Sequence, residues 1–131
     1  MNQLEVVKDM YAAFQRGDIP RILSHLREDV EWEHDSLDHG IPWLKPGRGH
    51  AHVASFFKGL GVVDLTRFEL VSLLEGPAQV AAFFHVGLQV KSNGRSVGDL
   101  EGHLWSFDSA GKVARFRHFA DTHAHFLTAR S

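Results

Sequence analysis

Three stretches in the N-terminal half of the chain place apolar side chains at the three- and four-residue spacing of amphipathic helices. This spacing predicts helices over residues 2–16, 19–26 and 50–60. Gly17 is a natural stop for the first helix, and Asp18 can cap the second. Each helix has one apolar side, so each must pack against another part of the chain.

The remaining apolar positions follow the two-residue alternation of half-buried strands. Residues 30–34 alternate in this way, whereas the prolines and glycines of residues 35–49 predict a loop. Turn residues divide the C-terminal half, and Asn93-Gly94 is a strong hairpin signal because both residues tolerate positive φ. The predicted strands of this half are residues 65–74, 79–90, 95–107 and 112–122.

The order of these elements is helix, helix, strand, helix and then four consecutive strands. Runs of helices followed by runs of strands favour an α+β domain with a mostly antiparallel sheet. Strands this long must curve as they twist, and helices packed on one face of such a sheet leave a cavity. A length of 131 residues suits one domain, so residues 1–131 are predicted to form a single domain around a central pocket.

The composition of the chain narrows the classes of function. No cysteine is present, which excludes disulfides, thiolate zinc sites and cysteine nucleophiles. A net charge of −2 gives no general attraction for nucleic acid, and no apolar run approaches the ~20 residues that cross a bilayer. We therefore expect a cytoplasmic protein whose partner is a small apolar or aromatic molecule, with neither nucleic acid nor a membrane as a partner. Its 10 histidines and 10 phenylalanines suggest polar chemistry beside an aromatic interior.

Several motifs resemble those of one known family. They are Tyr11-Ala12-Ala13-Phe14, Pro46-Gly47-Arg48-Gly49, Gly102-His103-Leu104-Trp105-Ser106-Phe107 and Arg115-Phe116-Arg117-His118-Phe119-Ala120-Asp121-Thr122. Together they resemble SnoaL-like domains of the NTF2-like, ketosteroid-isomerase-like superfamily over nearly the whole chain. The resemblance implies a cone-shaped α+β fold with a pocket, and a homodimer. It implies no single reaction, because the superfamily includes cyclases, isomerases, epoxide hydrolases and non-catalytic binders.

Asp121 is the first candidate for a catalytic group. The resemblance implies it, since SnoaL-like cyclases use an aspartate matching this position as their acid or base. A carboxylate in an apolar cavity has its charged form disfavoured, which raises its pKa towards values useful in proton transfer. The structural alternative is an aspartate that caps the segment Thr122–Phe126 or pairs with an arginine.

His103 is the second candidate. Strand alternation places it on the same face as Glu101 and Trp105. By resemblance, ketosteroid isomerases hold at this position a protonated aspartic acid that donates a hydrogen bond to the developing oxyanion. A histidine could donate in the same way or shuttle a proton. It could instead be a core histidine bonded to a neighbouring strand or carboxylate.

His34 is the third candidate, because by resemblance it matches the general-base aspartate of the isomerases. The oxyanion tyrosine of those isomerases would fall near Met10, with Tyr11 next to it. Histidine can remove a proton, but both positions depart from the isomerase pattern. These departures argue against a steroid isomerase.

The residues predicted to bind substrate are mostly aromatic and suit a flat apolar ligand. Arg117 lies two residues before Phe119 and four before Asp121, so regular pleating would place all three on one face. A solvated face is the alternative for this arginine. The predicted substrate-binding residues are Tyr11, Trp32, Phe56, Glu101, Trp105, Arg117 and Phe119.

The segment 34–39 is dense in potential metal ligands, and His123 and His125 add two more. Their spacing fits no zinc or iron signature, so we predict neither a metal nor a cofactor. The leading hypothesis is a cyclase- or isomerase-like enzyme that uses acid/base catalysis on a small apolar carbonyl compound. The alternatives are a non-catalytic binding protein, a dimeric interaction module and an epoxide hydrolase-like enzyme. The last needs an arginine bracketed by two aspartates, which we cannot place on the predicted strands.

Overall fold

Among the described residues, a six-stranded sheet forms the framework of the protein. The computed structural model describes residues 1–34 and 39–130. Its strands are β1 (Leu26–Glu33), β2 (Gly47–Arg48), β3 (Val63–Gly76), β4 (Gln79–Val90), β5 (Ser96–Phe107) and β6 (Val113–Phe119). They lie in the order β2-β1-β6-β5-β4-β3, and neighbouring strands are antiparallel except for β1 and β6, which are parallel. The prediction of an α+β fold with a mostly antiparallel sheet is confirmed.

The helices form where the apolar spacing predicts them, and their ends carry the caps that their sequences allow. They are α1 (Gln3–Gln15), α2 (Ile19–Ser24) and α3 (Gly49–Gly59), followed after the sheet by α4 (Thr122–Ala129). Asn2 and Glu5 form a capping box at the start of α1, and the Asp18 side chain accepts a backbone N–H at the start of α2. In the described part of the chain, none of the helices is both long and apolar enough to span a bilayer.

The structure differs most from the predicted elements in three places. β1 begins at Leu26, the last residue of the predicted second helix, and not at residue 30. The last strand ends at Phe119 rather than Thr122, because Asp121 caps α4, a helix that the sequence analysis did not predict. Within the predicted loop 35–49, Pro42–Leu44 form a turn of 3-10 helix and β2 pairs with β1. Residues 35–38 of that loop lie outside the described residues.

The core lies between α1, α3 and the inner face of the sheet. Alternate residues of β4 face inward and are buried, among them Val80, Ala82 and Phe84. Met10 of α1 and Val53 of α3 pack into the same core. Burial of each large apolar side chain stabilises the fold by roughly 1.5–3 kcal/mol. β3 carries two register shifts against β4, which let the sheet curve around a cavity.

Candidate functional site

A cavity of about 540 Å³ lies between the helices and the inner face of the sheet. Small-molecule sites typically have volumes of roughly 300–1,000 Å³, so this cavity is large enough for a ligand of several rings. Its wall is mostly apolar. The aromatic lining residues include Tyr11, Phe14, Trp32, Phe56, Phe68 and Trp105.

The cavity reaches the surface beside α3. Ala54 and Lys58 of α3 line it and are exposed, as are Gly17 after α1 and Leu65 of β3. These four residues therefore form the mouth. Lys58 places a positive charge at the mouth, and in the sequence it is far from the polar residues of the cavity wall.

One part of the cavity wall is polar, and we call it the polar end. It consists of Glu101, His103, His118 and His125. Glu101 and His103 are two residues apart on β5, and the register of β5 against β6 places His118 directly opposite His103. The ring centroids of these two histidines are 5.1 Å apart. Positions 101, 103 and 118 share one face of the sheet, and position 125 lies on α4. Together these positions bring the four polar groups to one part of the wall.

His103 is held as a neutral hydrogen-bond donor. Trp105 Nε1–H donates to the Tyr11 hydroxyl oxygen at 2.9 Å, which leaves the Tyr11 O–H free to donate to Nδ1 of His103 at 2.7 Å. Nδ1 therefore carries no proton, and the proton of the neutral ring lies on Nε2. Burial, with a smaller effect of His118, lowers the pKa of His103 to about 3. Burial also raises the pKa of Tyr11 well above its usual range, so Tyr11 stays protonated.

Glu101 is buried between two histidines. Its Oε1 lies 2.6 Å from Nε2 of His118, and its Oε2 lies 3.1 Å from Nε2 of His125. Burial by itself would raise the pKa of Glu101, but His118 and His125 outweigh it and lower the pKa well below its usual range. Glu101 is therefore an ionised carboxylate, 3% exposed, that orients His118.

His125 is held by Trp43 and by two carboxylates. The Trp43 Nε1–H donates to Nδ1 at 2.9 Å, which directs Nε2–H towards Asp99 Oδ2 at 3.2 Å and towards Glu101. Burial lowers the pKa of His125, but the carboxylates outweigh burial and raise it to about 9. A protonated ring, however, would point its Nδ1–H at the N–H of Trp43. The hydrogen-bond geometry therefore favours a neutral His125 for as long as the Trp43 contact is kept.

Asp99 ties the polar end to α4. Its Oδ2 accepts the backbone N–H of Asp121 at 2.8 Å, just before α4 begins. Burial raises the pKa of Asp99, and so does the neighbouring Glu101, whereas the hydrogen bond from His125 lowers it. Asp99 thus connects the strand that carries Glu101 with the helix that carries His125.

Comparison with known proteins identifies the family of this domain. The SnoaL-like domain family matches residues 7–116. The chain belongs to the SnoaL-like family. No curated protein matches it.

Solved structures share the fold of this SnoaL-like protein over its whole length. An NTF2-like protein from Burkholderia pseudomallei is 23% identical with a TM-score of 0.86, and the match covers 100% of this chain and 99% of that one. An NTF2-like protein from Burkholderia xenovorans is 26% identical with a TM-score of 0.86, over 98% and 95% of the two chains. TerC, co-crystallised with polyporic acid, is 25% identical with a TM-score of 0.79, over 98% of each chain.

Most of the residues predicted to bind substrate in this SnoaL-like protein line the cavity. Tyr11, Trp32, Phe56, Glu101 and Trp105 all do so, as does His103. The prediction that positions 101, 103 and 105 share one face is therefore confirmed. Whether these residues contact a substrate stays a prediction.

His34 lies beside the polar end rather than in the cavity wall. It is 5% exposed, its Nε2 lies 3.2 Å from the Thr122 hydroxyl, and its ring centroid is 5.4 Å from that of His118. Its role as a base stays a prediction. Of the proposed ligand-rich segment 34–39, positions 35–38 lie outside the described residues.

Arg117, Phe119 and Asp121 were predicted to face the pocket, and that placement is wrong. Arg117 and Phe119 do share a face, but that face is the outer one of the sheet. The Arg117 guanidinium lies 5.6 Å from the centroid of the Phe119 ring. Phe119 is 49% exposed, and Arg117 lies 3.7 Å from Glu33. Asp121 is exposed and accepts the N–H of Ala124 as the cap of α4. The physical reason for Arg117 and Phe119 is the pleat of β6, whose inward positions are Phe116 and His118. Asp121 follows the end of that strand and begins α4.

His118 was not predicted as a site residue, and His125 was considered only as a possible metal ligand. Phe116 could have pointed to His118. It is an aromatic core residue two positions earlier on the same strand, so His118 must share its inward face. The choice of Arg117, Phe119 and Asp121 for that face excluded His118. His125 had no comparable signal, because it faces the cavity only through the packing of α4 against β5.

Replacing Asp121 by alanine should destabilise the protein by about 1 kcal/mol, the usual effect of losing a helix N-cap. It should leave ligand binding unchanged, because the side chain does not line the cavity. Urea unfolding measures the first effect. Asp64→Ala, at an exposed position of β3, is the matched control and should change stability by less than about 0.5 kcal/mol. If Asp121→Ala lost ligand binding with unchanged stability, Asp121 would contribute to the binding site after all.

Acid should destabilise the protein through His103. The unfolded side chain binds a proton near pKa 6.5, whereas burial lowers the pKa in the folded state to about 3. Between these values only the unfolded state binds the proton, so stability falls as pH falls, by at most about 1.4 kcal/mol per pH unit for this group. Urea unfolding of His103→Phe should therefore show a shallower loss of stability from about pH 6 to about pH 4. Equal slopes for variant and wild type would contradict a neutral His103.

Proposed function

We propose that this protein catalyses proton transfer to and from carbon beside a carbonyl group of a small apolar substrate, as cyclase- or isomerase-type enzymes do. The observation that carries the proposal is the polar end. There a carboxylate-bound histidine, His118, stands opposite a neutral histidine donor, His103, in a cavity that is otherwise aromatic. This pairing supplies a base and an oxyanion donor at one place.

His118 is the proposed base. Its Nε2–H donates to Glu101, so Nδ1 is the nitrogen left to accept a proton. When Nδ1 takes the proton from the substrate carbon, the ring becomes a cation beside the ionised Glu101. The carboxylate stabilises that cation at short distance and in a partly dry site, which favours proton removal.

His103 is the proposed oxyanion donor. As the proton leaves carbon, the electron pair of the C–H bond moves into the carbonyl and places negative charge on its oxygen. The Nε2–H of His103 can donate to that oxygen, and the hydrogen bond from Tyr11 keeps Nε2 as the protonated nitrogen. Return of the proton at another carbon gives an isomer. Attack of the enolate carbon on a second carbonyl closes a ring, and the oxygen of that carbonyl takes the proton back from His118.

The aromatic wall suits a flat substrate. Phe68 and Phe84 are stacked, with centroids 4.2 Å apart and planes inclined by 10°, and Trp32 and Phe116 lie 4.1 Å apart. Aromatic side chains arranged in this way bind planar apolar rings through their faces and edges, but they do not fix the orientation of the polar groups of the ligand. Orientation would come from the polar end alone, since the described lining is otherwise apolar apart from Lys58 at the mouth.

A deuterium-exchange screen tests the proposal. Planar carbonyl compounds would be incubated with the protein in D₂O and followed by proton NMR for loss of signal at carbons beside the carbonyl. Ala54→Trp, which narrows the mouth, is the control for exchange inside the cavity and should slow it. Binding without exchange for every ligand found would support the alternative of a non-catalytic binding protein.

The expected homodimer is also a proposal, and the outer face of the sheet supports it. Leu74, Leu100 and Phe119 lie on that face and are about half exposed. A second copy of the chain would cover these apolar side chains. Light scattering after gel filtration should give a dimer for the wild type and a monomer for Leu100→Lys. Leu127→Lys on α4, away from the sheet, should remain a dimer, and a monomeric wild type would contradict the proposal.

A further inference from the structure

Two imidazoles and one carboxylate stand together on the cavity wall. Glu101, His103 and His118 can each offer one ligand atom, and the three atoms lie within 4.8 Å of one another. We infer that these three side chains form a binding site for one divalent transition-metal ion, with Zn²⁺ as the ion that fits best. The inference goes beyond the proposed proton transfer and does not depend on it.

The donor set selects the class of ion. Imidazole nitrogen suits Zn²⁺ and the other late divalent ions of the first transition row, whereas Mg²⁺ and Ca²⁺ prefer sites made of oxygen. Two histidines and one glutamate are a known ligand set for zinc with an open position. Here the open position would face the cavity, because all three residues line it.

Both histidines keep one nitrogen unused. Within the described part of the chain, Nε2 of His103 and Nδ1 of His118 make no hydrogen bond, whereas the other nitrogen of each ring does. Coordination needs a nitrogen without a proton. Nε2 of His118 meets it after its proton moves to the unused Nδ1, and the ion would then replace the hydrogen bond between Nε2 and Oε1 of Glu101. Nε2 of His103 meets it after the proton of that ring moves to Nδ1.

Tyr11 allows that proton to move. Its hydroxyl oxygen accepts from Trp105 through one lone pair, and rotation of its O–H would turn the second lone pair towards Nδ1 of His103. With Nε2 on a metal, Nδ1–H would donate to Tyr11 instead of accepting from it. A partner of this kind behind a ligating histidine fixes the ring and strengthens the site. His125 orients Glu101 in the same way.

A second group of possible ligands fits less well. Asp99, Glu101 and His125 also offer atoms within 4.8 Å of one another. However, Nδ1 of His125 accepts from Trp43, and Nε2 faces the two carboxylates. Asp99 Oδ2 already accepts the N–H of Asp121. The N–H of Trp43 keeps the ring proton of His125 on Nε2, so that nitrogen cannot coordinate, and the ion belongs with His103 and His118.

Metal titration of the tag-free, chelator-treated protein tests the inference. Co²⁺ would be followed by its visible absorption and Zn²⁺ by displacement of Co²⁺ and by calorimetry. We expect one ion per chain. His118→Gln and His103→Gln should each weaken binding by at least about tenfold, since even outer-shell losses at metal sites have effects of this size. Two separate variants keep the test decisive if one of them fails to fold, which circular dichroism shows.

Matched controls locate the ion. His85→Gln and His123→Gln change exposed histidines outside the cavity and should bind as the wild type does. Asp99→Asn removes one carboxylate of the second group but keeps an oxygen that can accept from His125 and from the backbone of Asp121, so it should change binding by less than about threefold. The inference is overturned if the wild type binds no stoichiometric ion, or if His85, His123 or Asp99 is required while His118 is not. Added Zn²⁺ should slow any deuterium exchange, because it would hold Nε2 of His103, the proposed donor, and would separate Glu101 from the proposed base. Metal binding without exchange would leave this inference standing and remove the proposed function.

Discussion

Replacing His118 by glutamine should lower the rate of deuterium exchange by about 100- to 10,000-fold on a compound that the protein turns over. The amide of glutamine can still donate to Glu101 and fills similar space, but it cannot accept a proton at neutral pH. The change thus removes the base while it keeps the neighbouring carboxylate paired. Exchange rates by NMR, at saturating substrate, measure the effect.

The control for this variant is His123→Gln, the same substitution at an exposed position on α4. It should exchange at the wild-type rate. Circular dichroism and urea unfolding show whether His118→Gln has kept its fold. A loss of less than threefold in a folded His118→Gln variant would exclude His118 as the base and leave His34, whose ring lies 5.4 Å away, as the next candidate.

Replacing His103 by phenylalanine should lower turnover by about 100-fold, the usual effect of losing one donor to an oxyanion. The new ring would pack beside Phe84 and Phe116, whose centroids lie 5.3 Å from that of His103. The substitution therefore removes the Nε2–H while it keeps an aromatic side chain in the wall. Steady-state kinetics on the substrate found by the screen measure the loss.

The division of this loss between kcat and KM tests the role of His103. A donor that strengthens its bond as charge develops on the carbonyl oxygen acts mainly on kcat. Tyr11→Phe should cause a smaller loss of the same kind, because Nε2 keeps a proton only part of the time without the hydrogen bond to Nδ1. A raised KM with unchanged kcat in His103→Phe would mean that His103 binds the substrate but does not assist the reaction.

Local patterns in the sequence predicted most of the elements because each pattern is decided by near neighbours. The spacing of Val6, Met10 and Phe14 is enough to predict α1, and Asn93-Gly94 is enough to predict the hairpin between β4 and β5. The helix α4 was missed because its eight residues carry a weak pattern and its cap, Asp121, was assigned to the pocket. β2 was missed because two residues give no alternation to detect.

The sequence by itself determined the α+β class, the order of the first three helices and the five longer strands, and the family. It also placed Glu101, His103 and Trp105 on one face of a strand. Only the tertiary structure decided which histidines meet. The pairing of β5 with β6 selected His118 rather than Arg117, and the packing of α4 brought His125 to Glu101. The physical reason is that strand register and helix docking are fixed by contacts between residues far apart in the chain, whereas periodicity records only contacts between near neighbours.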